Sequence, residues 1–104
     1  METPIGRVTH YFNRLCVAVL ALDGDLTVNN IVHFLGHNTD FYQKAWSMEI
    51  NHQPVQSVGP GMEVALKVAE PVRKGDEIFR VQVTDPGEQE DILQQMRAWE
   101  GNTF

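Results

Sequence analysis

Short runs of β-branched and aromatic residues, separated by Gly, Asn and Asp, recur along most of this 104-residue chain. This pattern predicts an all-β domain, because the runs have the length of strands and the separating residues favour turns. The expected strands are residues 5–12, 15–22, 30–35, 41–52, 63–68 and 77–83. A closed sheet leaves no strand edge unpaired, so we expect a small closed antiparallel β-barrel over residues 1–83.

After Val83 the period of the apolar residues changes from two to about 3.6, which predicts one α-helix in an acidic C-terminal tail, residues 84–104. Residues 85–88 supply an N-cap, a proline at the first helical position and an acidic residue, and Gly101 supplies a stop. The apolar face of this helix comprises Ile92, Leu93, Met96 and Trp99. A short helix is only marginally stable alone in water, so we expect this face to be covered.

The formal net charge of −6 is unevenly distributed. Residues 1–83 contain seven Lys or Arg against nine Asp or Glu, whereas residues 84–104 contain one against five. Non-specific nucleic-acid binding depends on many cationic contacts to phosphates. Because the chain has no basic run, we do not expect it to bind nucleic acid in this way.

A single cysteine, Cys16, permits no intramolecular disulfide, and its apolar surroundings predict a buried, inert thiol. It lies in the longest apolar run, residues 15–22, which has only eight residues. A membrane-spanning helix needs about 20. We therefore expect a cytoplasmic protein that does not contact a membrane.

Four segments resemble a known family: residues 4–12, 23–28, 32–36 and 72–78, with Thr9-His10-Tyr11-Phe12 and Arg73-x-Gly-Asp76 as the most specific pieces. They resemble the second, barrel domain of translational GTPases, and most closely the small free-standing translation elongation factor-like proteins that consist of that domain alone. A similar barrel is found at the carboxyl end of some collagenase-type peptidases. The likeness covers about residues 4–83 and departs at Asn29-Asn30, where Gly-Asp is usual. Asn also adopts the left-handed conformation, so we expect the turn to survive.

The resemblance implies a barrel like elongation-factor domain 2 and a role beside the translation apparatus. It does not imply a GTPase, because no Gly-x4-Gly-Lys-Ser/Thr loop is present to bind phosphates. We therefore expect a non-enzymatic binding module whose partner is a protein or a ribonucleoprotein. The alternatives are a protein-protein adaptor unrelated to translation and an enzyme whose site is assembled only by the fold.

The sequence offers no motif for catalysis, metal binding or a cofactor. His33 and His37 are four residues apart, which suits two metal ligands on a helix, but Gly36 breaks the segment between them. The candidate nucleophiles, which lack a strained turn or helix start to activate them, are Cys16, Ser47 and Ser57. We therefore expect no catalytic residue, no metal and no cofactor.

Tyr42, Lys44 and Trp46 alternate along one predicted strand and therefore share one face. In the barrels that this chain resembles, these positions tend to be polar. Because Trp and Tyr are enriched in binding hot spots, we predict that the three residues form part of a partner-binding face. The alternatives are that a bulge turns Trp46 inward or that the tail helix lies over it.

The family's pattern also implies that Val32 and Phe34 point inward, which leaves Ile31, His33 and Leu35 outside. Ile31 and Leu35 then offer an apolar surface to the tail helix. We predict that Ile92, Leu93, Met96 and Trp99 dock there. Docking within one chain gives a monomer, and docking between two chains gives a homodimer.

Overall fold

The computed structural model of the chain describes residues 2–82 together with Gly87. The described residues form ten strands: β1 Glu2–Phe12, β2 Val17–Leu22, β3 Leu26–Thr27, β4 Ile31–Leu35, β5 Asp40–Lys44, β6 Met48–Ile50, β7 Gln53–Pro54, β8 Ser57–Val58, β9 Glu63–Lys67 and β10 Glu77–Val81. The prediction of an all-β fold is confirmed for residues 2–82. The predicted tail helix lies outside the described residues except at Gly87. Within the described ranges, no helix is long and apolar enough to cross a membrane.

Eight of these strands form one sheet, in the order β5-β4-β10-β1-β2-β9-β6-β7, and β3 pairs with β8 in a second, two-stranded sheet. The pairs between these strands are antiparallel. Over residues 2–82 the hydrogen-bonded ladder ends at β5 on one side and at β7 on the other. The coarse prediction of an antiparallel sheet is therefore confirmed, whereas a closed ladder is not observed.

The predicted strand over residues 41–52 is divided into β5 and β6, because the chain changes its hydrogen-bonding neighbour between them. The amide of Ala45 donates to the carbonyl of Asn30, 2.8 Å away, on the β4 side. Two residues later, the carbonyl of Ser47 accepts from the amide of Lys67, 3.3 Å away, on the β9 side. Residues 45–47 therefore lead from one end of the sheet to a strand near its other end.

The side chain of Gln43 is fully buried beside this segment. Its Nε2 donates to the carbonyls of Lys44 and Lys67 at 3.2 and 2.9 Å, and its Oε1 accepts from the amide of Ala69 at 2.7 Å. One amide side chain thus ties β5 to the end of β9. A buried polar group of this kind is stable only when its hydrogen bonds are made.

Alternation along the strands places one apolar side of the sheet in the core. Val32 and Phe34 point inward as predicted, and the ring of Phe34 stacks on that of Phe41 with centroids 5.0 Å apart. The core residues with the lowest exposure and largest side chains include Ile5, Val8, Leu20, Leu26, Leu66 and Ile78. Interactions between residues distant in sequence therefore hold the sheet together.

Two turns quoted in the sequence analysis have clear physical roles. Asn29 has a φ of 76°, so the predicted left-handed conformation is present there. The second is the turn over residues 73–76. There the buried carboxylate of Asp76 accepts from the hydroxyl of Thr39 at 2.5 Å and from the amide of Arg73 at 2.8 Å. Gly36 lies against this carboxylate, which leaves no space for a Cβ atom.

Candidate interaction surfaces

His33 occupies the outer face of β4 but is only 7% exposed. Its imidazole stacks on Tyr42 of β5, with centroids 4.2 Å apart, and is tilted against Phe79 of β10 at 6.0 Å. Nδ1 lies 2.6 Å from Oε1 of Glu2, and Nε2 lies 2.6 Å from Oδ1 of Asp40. An imidazole can donate from both nitrogens only when it is protonated, and it then forms two ion pairs. This cluster joins β1, β4 and β5.

The same contacts leave the cluster poorly suited to a metal ion, because both nitrogens of His33 already face carboxylate oxygens. His37, the second histidine of the His33/His37 pair, follows the turn glycine Gly36. Among the described residues, no group of three or more His, Cys, Asp or Glu side chains could hold a metal ion.

Tyr42, Lys44 and Trp46 lie on the outward face, where the sequence places them. Phe41, Gln43 and Ala45, which alternate with them, are buried. Trp46 is 37% exposed, so no bulge turns it inward. The hydroxyl of Tyr42 donates to Oε2 of Glu2 at 2.9 Å, and Trp46 borders a small surface depression beside Pro54 and Val55. That these three residues bind a partner stays a prediction.

Ile31 and Leu35 also lie on the outer face of β4. Ile31 is half-buried and pairs with Val81 of β10, which is buried, whereas Leu35 is 39% exposed and pairs with Glu77. The expected docking residues of the tail, Ile92, Leu93, Met96 and Trp99, lie outside the described residues. Docking of the tail on Ile31 and Leu35 therefore stays a prediction.

A second surface was not predicted from the sequence. It is an open apolar groove of about 580 Å3, with side chains of β2 and β9 on its floor. The floor includes Val17, Val19 and Ala65. One wall is formed by Phe12 at the end of β1 and Leu15 in the following turn, and the other by the end of β6 and the β6–β7 turn, residues 50–52. We call this surface the apolar groove.

The position of Leu15 explains why this groove was missed. The apolar run predicts a strand over residues 15–22 that includes Leu15, but β2 begins at Val17 and residues 13–16 form a turn. In the turn, Leu15 is 65% exposed and Phe12, at the end of β1, is 50% exposed. The apolar residues on either side of Asn13-Arg14 were the available sequence signal.

The candidate nucleophiles have no imidazole beside them in the contacts that the structure describes. Sγ of Cys16 lies 3.8 Å from the carbonyl oxygen of Asn13, and Oγ of Ser57 lies 3.2 Å from Oγ1 of Thr27. Cys16 is half-buried and not fully buried, because it lies in the turn that precedes β2 and not in the strand itself. Burial raises the pKa of the nearby Tyr11 phenol, and a charge on Cys16 would raise it further.

No protein-family model matches the chain. Comparison with known proteins finds a similar protease. The chain is 31% identical over 81 residues to an uncharacterized protease of Methanocaldococcus jannaschii, in a match that covers 77% of this chain and 20% of that protease. The chain thus spans about a fifth of the length of the curated relative that it matches.

Two crystal structures of one domain resemble this fold. They show the C-terminal domain of a Geobacillus thermoleovorans protein assigned to the U32 peptidases, the second as its selenomethionine variant. The TM-scores are 0.71 and 0.70, at 17% and 18% sequence identity. The alignments cover 75% of this chain and 91% and 98% of those chains. At this identity the likeness establishes the fold alone.

The resemblance to translation elongation factor-like proteins is therefore wrong, and so is the translation-associated binding module that it implied. The similar sequence and structures come from a protease and from a U32 peptidase C-terminal domain. The four segments that suggested the family lie on strands and turns of the fold, and a shared fold does not establish a shared role. The sequence resemblance also included a similar barrel at the carboxyl end of some collagenase-type peptidases, and the proteins matched here are likewise a protease and a peptidase C-terminal domain.

Proposed function

We propose that this chain is a protease-associated domain, comparable to the C-terminal domain of U32 peptidases, and that it carries no catalytic site. The observation that carries this proposal is the 31% identity to one fifth of a protease, over most of the present chain. The likeness of fold to a U32 peptidase C-terminal domain supports it. The chain would then act beside a catalytic unit and supply a contact surface.

The contacts of the described residues support the part of this proposal that concerns catalysis, namely that the chain carries no catalytic site. The sulfur of Cys16 and the hydroxyl of Ser57 face a backbone carbonyl and a threonine hydroxyl, neither of which is a base that could activate them. The one imidazole that is held between carboxylates, His33, is covered by Tyr42 and has no nucleophile among its described partners.

The proposal includes a barrel-like closure of the sheet by residues 43–47. Support comes from Ala45, whose amide and carbonyl bond to Asn30 and Asn29, and from Ser47, which bonds to Lys67. Gln43 adds side-chain hydrogen bonds across the same gap. We also retain the C-terminal helix as a proposal for residues 84–104, on the basis of its apolar period alone.

The test pairs this chain with the catalytic region of a U32-type peptidase from the same organism, expressed without its own C-terminal domain. We expect the two chains to purify together and cleavage of a protein substrate to increase when this chain is added. This chain alone should cleave nothing. Failure of the chains to associate, together with an unchanged cleavage rate, would contradict the proposal, as would cleavage by this chain alone.

A further inference from the structure

We infer that the apolar groove binds an extended peptide segment that carries an apolar side chain next to a basic residue. The groove has a mainly apolar lining and contains two of the most exposed large apolar side chains described, Leu15 at 65% and Phe12 at 50%. An exposed apolar surface of this kind, bordered by polar groups, is typical of an interaction site.

The shape of the groove favours an extended chain over a compact ligand. Its floor crosses the neighbouring strands β2 and β9, where Val17 pairs with Lys67 and Val19 pairs with Ala65. A smaller cavity of about 280 Å3 shares part of this lining and continues toward Ser47 and Lys67. The two cavities have Leu15, Val17, Glu49 and Ala65 in common and are therefore adjacent, so successive side chains of an extended peptide can lie in one and then in the other.

The charges at the groove indicate which peptides fit. Glu49 and Glu63 line its main part, and Glu49 also lines the smaller cavity together with Lys67. A peptide that places an apolar side chain against Leu15 and a cation near Glu49 and Glu63 satisfies both kinds of contact. The carboxylates also disfavour this chain's own tail as the occupant, because residues 84–104 contain five acidic residues and one basic residue.

This inference deepens the proposed function and rests on it only for the source of the peptide, which would be a protein substrate of the associated peptidase. The groove itself is a feature of this chain alone. Peptide binding can therefore be tested without a peptidase, and association with a peptidase can be tested without the peptide.

The experiment titrates the isotope-labelled full chain with short Gly/Ser peptides and follows the backbone amides by NMR. The three probes contain two Leu-Lys pairs, two Leu-Glu pairs or two Gly-Lys pairs. We expect the Leu-Lys peptide to bind most tightly and to shift the amides of Phe12, Val17 and Ala65. Leu15→Ser should weaken this binding by about tenfold, because most of the exposed leucine surface becomes buried in the complex.

Two controls make the outcome specific. Met62→Ser also replaces an exposed apolar side chain by serine, and it should leave the affinity within about twofold, since Met62 does not line the groove. The double variant Glu49→Gln, Glu63→Gln should remove the preference for Leu-Lys over Leu-Glu. The inference is overturned if none of the peptides binds or if Leu15→Ser binds as tightly as the unsubstituted chain. It is also overturned if sedimentation shows that Leu15→Ser only converts a dimer to a monomer, because the groove then belongs to a second copy of the chain.

Discussion

The ring of Tyr42 stacks on the imidazole of His33 across the β4–β5 pair, with centroids 4.2 Å apart and planes inclined by 15°. The tyrosine hydroxyl continues to the carboxylate of Glu2, which also contacts Nδ1 of His33. This one pair therefore links the edge strand β5 to the first residues of β1. Although Tyr42 lies on the outer face of the sheet, its ring packs against His33.

Replacement of Tyr42 should separate its stacking from its hydrogen bond. We expect Tyr42→Ala to lower the free energy of unfolding by about 1–2 kcal/mol, because it uncovers His33. Tyr42→Phe keeps the ring and loses only the bond to Glu2, so the expected loss is about 0.5 kcal/mol. Urea unfolding of both variants measures the difference. Equal losses for the two would show that the ring contributes nothing.

Gln43 should be the most sensitive polar residue of the sheet. Gln43→Leu leaves the carbonyl of Lys67 and the amide of Ala69 without the partners that the side chain supplies. We expect a loss of about 2–4 kcal/mol, because both groups are partly shielded from water. Gln56→Leu, the same change at an exposed position, is the matched control and should cost less than about 0.5 kcal/mol. A small effect of Gln43→Leu would count against the proposed closure of the sheet.

The turn between β4 and β5 should not tolerate any side chain at Gly36. A Cβ atom there would overlap the carboxylate of Asp76, which must then give up its bonds to Thr39 and Arg73. We expect Gly36→Ala to lower the unfolding free energy by about 2–3 kcal/mol. Gly59→Ala, where the new atom would lie 3.3 Å from a movable oxygen of Asp25, should cost less than half as much. Similar losses in thermal unfolding would contradict this explanation.

Local patterns were sufficient to predict which face of a strand each side chain occupies. The alternation that places Phe34 inward and Trp46 outward is a property of neighbouring residues, so it was visible in the sequence. The division of the strand over residues 41–52 was not visible, because it depends on Ala45 and Ser47 having different long-range partners. The strands β3, β7 and β8 have two residues each and give too short a pattern to detect.

At the candidate sites, too, the features that depend on contacts between distant residues were not visible in the sequence. The burial of His33 requires Tyr42 from the next strand and Glu2 from the first, which no local spacing indicates. The apolar groove requires the β1–β2 and β6–β7 turns to lie beside the same strands. The resemblance to elongation-factor barrels failed for a different reason, since segments that are typical of a fold do not specify a role.

The predicted tail helix should contribute to stability through the outer face of β4. Trp99→Ala should lower the free energy of unfolding by about 1–3 kcal/mol, because the ring is expected to be partly covered by Ile31 and Leu35. Truncation after Val83 should lower the melting temperature at every protein concentration. An unchanged melting temperature would rule out docking. A melting temperature of the full chain that rises with protein concentration would instead indicate that the tail pairs two chains.

Trp46 offers the sharpest test of the predicted partner-binding face. Its neighbours Ala45 and Met48 fill the core, whereas Trp46 itself is 37% exposed. We therefore expect Trp46→Ala to cost only about 1 kcal/mol of stability, for the covered part of its ring, but about 2 kcal/mol or more of affinity for the associated peptidase chain. Met62→Ala, which removes an apolar side chain of similar exposure at another turn, is the control and should leave the affinity unchanged.

Unfolding and co-purification are measured on the same preparations. Loss of stability well above 1 kcal/mol would make Trp46 a packing residue, and unchanged recovery of the peptidase chain would place the contact elsewhere, with the apolar groove as the next surface to test.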